Sequence, residues 1–306
     1  MKILIATEKP FAAVAVDGMR NVVEEAGAEL VLLEKYTEKA ALLAAVADAD
    51  ALIIRSDKVD ADVIAAGKKL KIVVRAGAGY DNVDLEAATA AGVSVQNTPG
   101  QNSNAVAELV FGLAVMMARN LYNGTSGTEL KGKRLGIQAF GQVGRNVARI
   151  ARGFGMQISA IDPYCPEAVM AEAGVTPCTD LKQLYAQSDI LSIHIPATAE
   201  TRGSIGHDLI AAMPKGAILI NTARKEVIDE DGLIAALKER TDIKYAADVA
   251  PSRAEEIASL FGDRVFFTPK KMGAQTAEAN INAGIAAARQ AIAFLTAGED
   301  KFRVNK

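Results

Sequence analysis

Along almost the whole chain, short runs of apolar residues alternate with longer helix-like stretches, and this alternation constrains the fold more than any other feature. Strand runs that are apolar throughout, each followed by a helix, belong to parallel sheets covered on both faces. The series runs through residues 2–6, 29–33, 51–55, 71–75 and 94–96 and meets the turn Thr98-Pro99-Gly100. A long helix is expected at 104–120 and a polar stretch at 123–128. The series then restarts with strands at 134–138, 157–161, 190–193, 217–221, 245–248 and 265–267, followed by a last helix at about 276–295. The restart predicts two α/β domains with a boundary near residues 100–104, and 306 residues accommodate two.

The second series opens on Leu135-Gly136-Ile137-Gln138-Ala139-Phe140-Gly141-Gln142-Val143-Gly144, between a strand and a helix. This is a G-x-G-x-x-G turn with Ala139 at the first glycine position. Gly141 lets the backbone approach a pyrophosphate and Gly144 lets helix and strand pack closely. The helix N-terminus at Gln142 and Val143 offers amide donors and a positive dipole end. Asp162 ends the next strand, 21 residues after Gly141. A carboxylate there accepts the adenosine ribose hydroxyls and repels a 2′-phosphate, and Pro163-Tyr164 brings no arginine, so NAD is expected over NADP. The competing reading is a Gly-rich turn of an unrelated α/β fold.

Composition excludes other classes. With 34 basic and 37 acidic residues the net charge is −3, without the positive excess that nucleic acid or an anionic membrane requires. No apolar run approaches the ~18 residues of a spanning helix. The N-terminal MKILIATEKP lacks a secretory apolar region, and Cys165 and Cys178 form no disulfide framework, so a cytoplasmic protein is expected. Two histidines, His194 and His207, outside any Cys/His cluster make a zinc site improbable, and no metal is expected.

Several segments resemble the D-2-hydroxyacid dehydrogenases. They are Arg75-Ala76-Gly77-Ala78-Gly79-Tyr80-Asp81-Asn82-Val83-Asp84, Asn102-Ser103-Asn104-Ala105-Val106-Ala107-Glu108-Leu109, Gly132-Lys133-Arg134-Leu135-Gly136-Ile137, the run 189–196 and Asn221-Thr222-Ala223-Arg224. The run Ile53-Ile54-Arg55-Ser56 is similar to that of the short members acting on 3-phospho-D-glycerate, in which the arginine meets the substrate phosphate. The sequence ends soon after its last helix, so the C-terminal serine-sensing domain of longer members is not expected.

The resemblance implies two doubly wound parallel-sheet domains. A flavodoxin-like substrate domain would combine residues 1–100 and 281–306, and a Rossmann NAD-binding domain at 101–280 would be inserted in it, with the active site between them. It also implies a homodimer built on the long helix. The activity implied is NAD-dependent oxidation of 3-phospho-D-glycerate to 3-phosphohydroxypyruvate, the first step of serine synthesis. A hydroxypyruvate or glyoxylate reductase and an NAD-sensing, non-enzymatic corepressor-like dimer are the alternatives.

Residue by residue, Arg224 matches the arginine that holds the substrate carboxylate, and Gly77 and Ala78 match a second, backbone grip on it. Asp248 resembles the acid that holds the nicotinamide carboxamide; Pro196, Ala223 and Gly273 lie where the cofactor passes. Two positions depart from the family. In Thr268-Pro269-Lys270-Lys271-Met272-Gly273-Ala274, a lysine stands where the proton-carrying histidine is usual. Counting from Gly-Ala selects Lys271, the preferred choice; counting from Thr-Pro selects Lys270. The supporting glutamate falls on Arg253, with Glu255 and Glu256 close by as possible substitutes. The departures fit together, because an anion would raise the lysine pKa further, whereas Arg224, Arg253 and the nicotinium charge would lower it.

Overall fold

In the computed structural model, which describes residues 1–305, the strands form two separate sheets, and every pair of neighbouring strands among the described residues runs parallel. The chain divides into two compact units, Met1–Asn102 with Gln275–Lys306, and Ser103–Ala274. Both are doubly wound α/β units.

The first unit runs β1 (Lys2–Thr7), α1 (Ala13–Glu25), β2 (Glu29–Glu34), α2 (Lys39–Val46), β3 (Ala51–Ile54), α3 (Ala61–Ala66), β4 (Ile72–Arg75), α4 (Leu85–Ala90) and β5 (Ser94–Asn97). Its sheet order is β2-β1-β3-β4-β5, the flavodoxin-like order. Central β3 is buried along its whole length, which is why it reads as Ala-Leu-Ile-Ile with no alternation. Helix starts follow local chemistry. The Asp60 carboxylate accepts the Val63 amide at α3, and that of Asp84 accepts the Ala87 amide at α4.

The second unit runs α5 (Ser103–Ala118), β6 (Arg134–Gln138), α6 (Gln142–Gly153), β7 (Gln157–Ile161), α7 (Glu167–Glu172), β8 (Thr176–Pro177), α8 (Leu181–Gln187), β9 (Ile190–Ile193), α9 (His207–Ala211), β10 (Ile218–Asn221), α10 (Glu230–Glu239), β11 (Lys244–Ala247), α11 (Ala254–Phe261) and β12 (Val265–Phe267). Its order is β12-β11-β10-β9-β6-β7-β8. Strands β6 and β9 are neighbours that send the chain in opposite directions, so their C-terminal ends flank a topological switch point. One core, around Phe111, Met117, Ile137 and Val147, covers one face of the sheet; another, around Tyr185, Leu219, Leu233 and Phe261, covers the other.

The structure departs from the sequence expectations at four elements of this unit, the smallest change being that β10 starts at Ile218 rather than at 217. Helix α5 ends at Ala118 rather than at 120, because Asn120, Leu121 and Tyr122 all take left-handed φ values (51°, 53° and 57°). Lys244 holds that end, donating from Nζ to the Met117 carbonyl at 2.7 Å and to Asn120 Oδ1 at 2.6 Å. Strand β8 was not anticipated; it has two residues, one of them Pro177. The expected strand 245–248 is shifted by one, so Asp248 stands just beyond β11.

The last helix, α12 (Ala277–Ala297), belongs to the first unit, where its buried Ala283, Ala287, Ala288 and Ala291 join Phe11, Ala15, Met19 and Val23 of the α1 side. Thr276 caps its start through the Ala279 amide, and Gly298 ends it in the left-handed conformation.

Candidate active site

In the second unit, the predicted cofactor residues lie along the C-terminal edge of the sheet. The turn after β6 places Gly141 at the N-cap of α6 with no side chain spent on the first-turn amides. A Cβ on Gly141 would meet nothing within 4 Å, so the face over Gln142 and Val143 is open. Gly144 is the opposite case. A Cβ there would sit 2.3 Å from the Ala139 carbonyl oxygen, so only glycine lets helix and strand approach. Ala139 itself has φ +80°, the conformation that makes glycine usual at this position.

Asp162 sits at the end of β7. Its Oδ2 accepts the Phe140 amide and its Oδ1 the Tyr164 amide, each at 2.8 Å. Each oxygen keeps a lone pair for a further donor. Exposed Pro196 follows β9 and buried Ala223 follows β10. Between β10 and Ala223, the Thr222 hydroxyl is buried with no hydrogen-bond partner. An open anion-binding helix start, a carboxylate with spare acceptors and an orphaned hydroxyl on one sheet edge fit a dinucleotide.

Arg224 is exposed just past Ala223. The Asn221 side chain shapes this turn, accepting the Ala223 amide at 2.9 Å and donating to the Arg224 carbonyl at 2.8 Å. Arg224 donates from Nη1 to the Ala223 carbonyl at 2.9 Å. Asp248 is 1% exposed and is taken up by the segment carrying the lysines. It accepts the Met272 amide at 2.6 Å, the buried Gly273 amide at 2.8 Å and stands 3.0 Å from the Thr268 hydroxyl. Lys270 and Lys271 are both exposed. Arg253 corrects one expectation. Its guanidinium is paired with Asp231 and Glu256, so its charge is already met and it does not act as a bare cation on a lysine. Glu256 is thereby occupied as well, while Glu255 is exposed on the same first turn of α11. His194 is a packed strand-end residue. Its Nε2 lies 2.9 Å from the Ser192 hydroxyl, and burial pushes the imidazole down to about 3.

In the first unit, Arg55 follows β3. Its guanidinium lies over the Phe11 ring at 5.0 Å and donates to the Lys9 and Pro10 carbonyls at 3.1 Å and to Asn280 Oδ1 at 2.7 Å. Ser56 is exposed beside it, and buried Asp57 fixes the turn by accepting the Glu8 amide and the Tyr36 hydroxyl. Arg75, which opens one of the family-like runs but carries no expected role there, ends β4. Its Nε donates to the Arg55 carbonyl at 3.0 Å. Its guanidinium fills the room of the side chain that Gly77 lacks, since a Cβ there would stand 1.7 Å from Nη1. Gly77 is buried, at φ +146°, and Ala78 is exposed, with its carbonyl taken by Asn97. Burial holds both guanidinia below their ordinary pKa, and the charge of Arg55 adds to the depression of Arg75 against the pull of Asp81. Among the described residues, neither makes an ion pair with a carboxylate. The available signal was a cation at a strand end, two residues before the glycine of the expected carboxylate grip.

Residues 106–270 match the family described as D-isomer specific 2-hydroxyacid dehydrogenase, NAD binding domain. The chain belongs to the D-2-hydroxyacid dehydrogenase family. It is similar to the D-3-phosphoglycerate dehydrogenase of Methanocaldococcus jannaschii (40% identical, over 88% of this chain and 54% of that protein). It is equally similar to the hydroxypyruvate reductase of Thermotoga maritima (40%, over 84% of this chain and 88% of that one). The chain thus spans about half the length of the phosphoglycerate dehydrogenases it matches in sequence. The crystal structure of NAD+-bound 3-phosphoglycerate dehydrogenase from Entamoeba histolytica superposes with a TM-score of 0.86 at 47% identity, covering 100% of this chain and 99% of that one. NAD is the cofactor of this dehydrogenase domain, and the open α6 start and Asp162 offer donors and acceptors that fit it.

Proposed function

We propose that this dehydrogenase interconverts 3-phospho-D-glycerate and 3-phosphohydroxypyruvate, with Arg224 holding the substrate carboxylate and Lys271 carrying the hydroxyl proton. The observation that carries the substrate assignment is the pair Arg55 and Arg75, two half-buried guanidinia in one unit that, among the described residues, make no salt bridge to a carboxylate, Asp57 and Asp81 acting on them only from a distance. Such a pair is relieved by an anion of more than one charge, which a phosphate monoester supplies and an unphosphorylated 2-hydroxy acid does not.

The chemistry follows from the side chains. Arg224 presents a planar fork that binds a carboxylate through two parallel bonds and polarises the adjoining carbonyl as it forms. The Gly77 and Ala78 backbone gives the second grip. Lys271 takes the hydroxyl proton as the neutral amine and returns it as the ammonium in the reverse direction. Asp162 selects NAD through its ribose, and Gly141 to Gly144 hold the pyrophosphate. NAD, when bound, supplies the two-electron oxidising capacity.

The Thermotoga relative supports a second reading, reduction of hydroxypyruvate or glyoxylate, because the chain covers most of that protein. Following NADH absorbance with 3-phospho-D-glycerate, D-glycerate, hydroxypyruvate and glyoxylate separates the two. The phosphorylated acid is expected to be preferred over D-glycerate at least tenfold in kcat/KM. Equal use of the two acids would assign the second reading, and no turnover of any substrate would leave only an NAD-sensing role.

A further inference from the structure

Asp248 is a buried carboxylate whose partners nearly all come from one short segment. Its Oδ1 accepts the Met272 amide at 2.6 Å and lies 3.0 Å from the Thr268 hydroxyl, while its Oδ2 accepts the Gly273 amide at 2.8 Å. The same Thr268 hydroxyl lies 2.8 Å from the Asp248 main-chain carbonyl. Residues 268–276 belong to no helix or strand, so no ladder of backbone bonds sets their path. The segment is therefore shaped by contacts of this kind. Met272 N is bonded directly to the carbonyl carbon of Lys271, and fixing that amide fixes the peptide plane from which Lys271 departs. Gly273 completes the clamp, since a Cβ there would stand 3.0 Å from Asp248 Oδ2 and 3.2 Å from Val106 Cγ2.

We propose that Asp248 is the positioning residue of the lysine turn, its carboxylate gripping two successive amides so that Lys271 is held in its place. This rests on the reading of Lys271 as proton carrier. It extends the role expected for Asp248 toward the nicotinamide. A carboxylate offers about four acceptor directions, and three are used by the chain, which leaves one for a carboxamide. Amide bonds to an ionised carboxylate are among the stronger ones in proteins, so two of them on adjacent residues make a stiff clamp.

The experiment is a double-mutant cycle between Asp248→Asn and Lys271→Ala, read as kcat at saturating NAD and substrate, with NADH affinity measured separately by fluorescence. In Asp248→Asn the amide group has one acceptor oxygen and turns N–H against N–H at the other contact. The expected result is a 10- to 100-fold loss of kcat with less than threefold change in NADH affinity. In the Lys271→Ala background the same substitution is expected to cost less than twofold, because the residue it positions is already gone. Thr268→Val, which removes one donor to the carboxylate and keeps the charge, is expected to lower kcat by a smaller factor with the same loss of effect in Lys271→Ala, and Thr268→Ser to restore it. This second pair carries the cycle if Asp248→Asn does not fold. Additive effects, or a weakened NADH affinity with kcat intact, would overturn the proposal while leaving Lys271 as the base. A Lys271→Ala enzyme with wild-type turnover and pH profile would overturn both.

Discussion

The Asp162 carboxylate accepts the backbone amide of Phe140 at 2.8 Å, tying the end of β7 to the glycine turn that follows β6. The side chain thus braces the glycine turn, and in the function proposed above it also selects the nucleotide. Asp162→Ala is expected to weaken NADH binding by about 10- to 100-fold, the worth of charge-assisted bonds of ~1.5–3 kcal/mol, and to bring NADPH affinity close to that of NADH. Fluorescence titration with both nucleotides checks this. Unchanged discrimination would remove Asp162 from the ribose site.

Ala139 lies in the left-handed region with φ +80°. That conformation costs an L-residue roughly 1–2 kcal/mol, and the extra unfolded-state freedom of glycine takes back about 0.4–1. Ala139→Gly should therefore raise unfolding free energy by on the order of 0.5–1 kcal/mol. Urea titration measures it; a destabilised variant would show that the Ala139 methyl makes a packing contribution larger than its strain.

Arg55→Ala and Arg75→Ala should each lower kcat/KM for 3-phospho-D-glycerate by about 10- to 100-fold while changing D-glycerate turnover only a few-fold, since each removes a charge-assisted contact of ~1.5–3 kcal/mol to the phosphate alone. Arg55 also ties Asn280 and the Lys9 and Pro10 carbonyls, so its variant should melt earlier. The ratio between substrates is the diagnostic quantity. An equal loss on both would make the arginines structural.

If Lys271 carries the proton, oxidation should rise with pH as the amine form accumulates, and reduction should fall over the same range because it needs the ammonium. Lys271→Ala should slow both directions by at least 100-fold with NADH affinity retained, and Lys270→Ala should change turnover less than threefold. Pre-steady-state and steady-state rates across pH 6 to 10 (roughly the range a perturbed lysine spans) test this. A dead Lys270→Ala enzyme would move the role by one residue.

His194 is neutral in the folded protein, its pKa pushed down to about 3 from an ordinary 6.5. The unfolded chain binds the proton first, so stability contributed by the neutral ring is full above pH 6.5 and is lost as pH falls toward 3. The loss runs at about 1.4 kcal/mol per pH unit. His207 has the opposite sign, because Asp208 and Glu239 raise its pKa and favour the fold when it is charged. Denaturation at pH 7 and pH 5 should show His194→Gln losing about 2 kcal/mol less than the wild type. Parallel losses would place the imidazole in contact with solvent protons.

The parts of the molecule legible in the sequence are those where one residue type answers one local demand. Continuous apolar runs announced strands buried on both faces, and the glycine spacing announced the tight turn between β6 and α6. The rest depended on partners distant in sequence. The end of α5 is set by Lys244, more than a hundred residues away, and β8 exists only because β7 offers an edge to two residues, one a proline. Arg253 stood at the position of a missing glutamate, but its pairing with Asp231 and Glu256 could not be read from spacing. Arg75 was visible as a motif residue but its role was not: what marks that role is the space left by Gly77, and an absent side chain has no pattern of its own.

The placement of α12 bears on how the chain comes off the ribosome. Residues of the second unit form one uninterrupted stretch, so that unit has all its parts once about residue 274 has emerged. The first unit begins earlier and finishes later. Until α12 is synthesised, Phe11, Ala15, Met19 and Val23 lack the alanine face that covers them. The earliest-made segment must therefore wait, with apolar surface open to water, while the later-made one folds, and this interval is where a chaperone would be engaged and where aggregation during expression would begin.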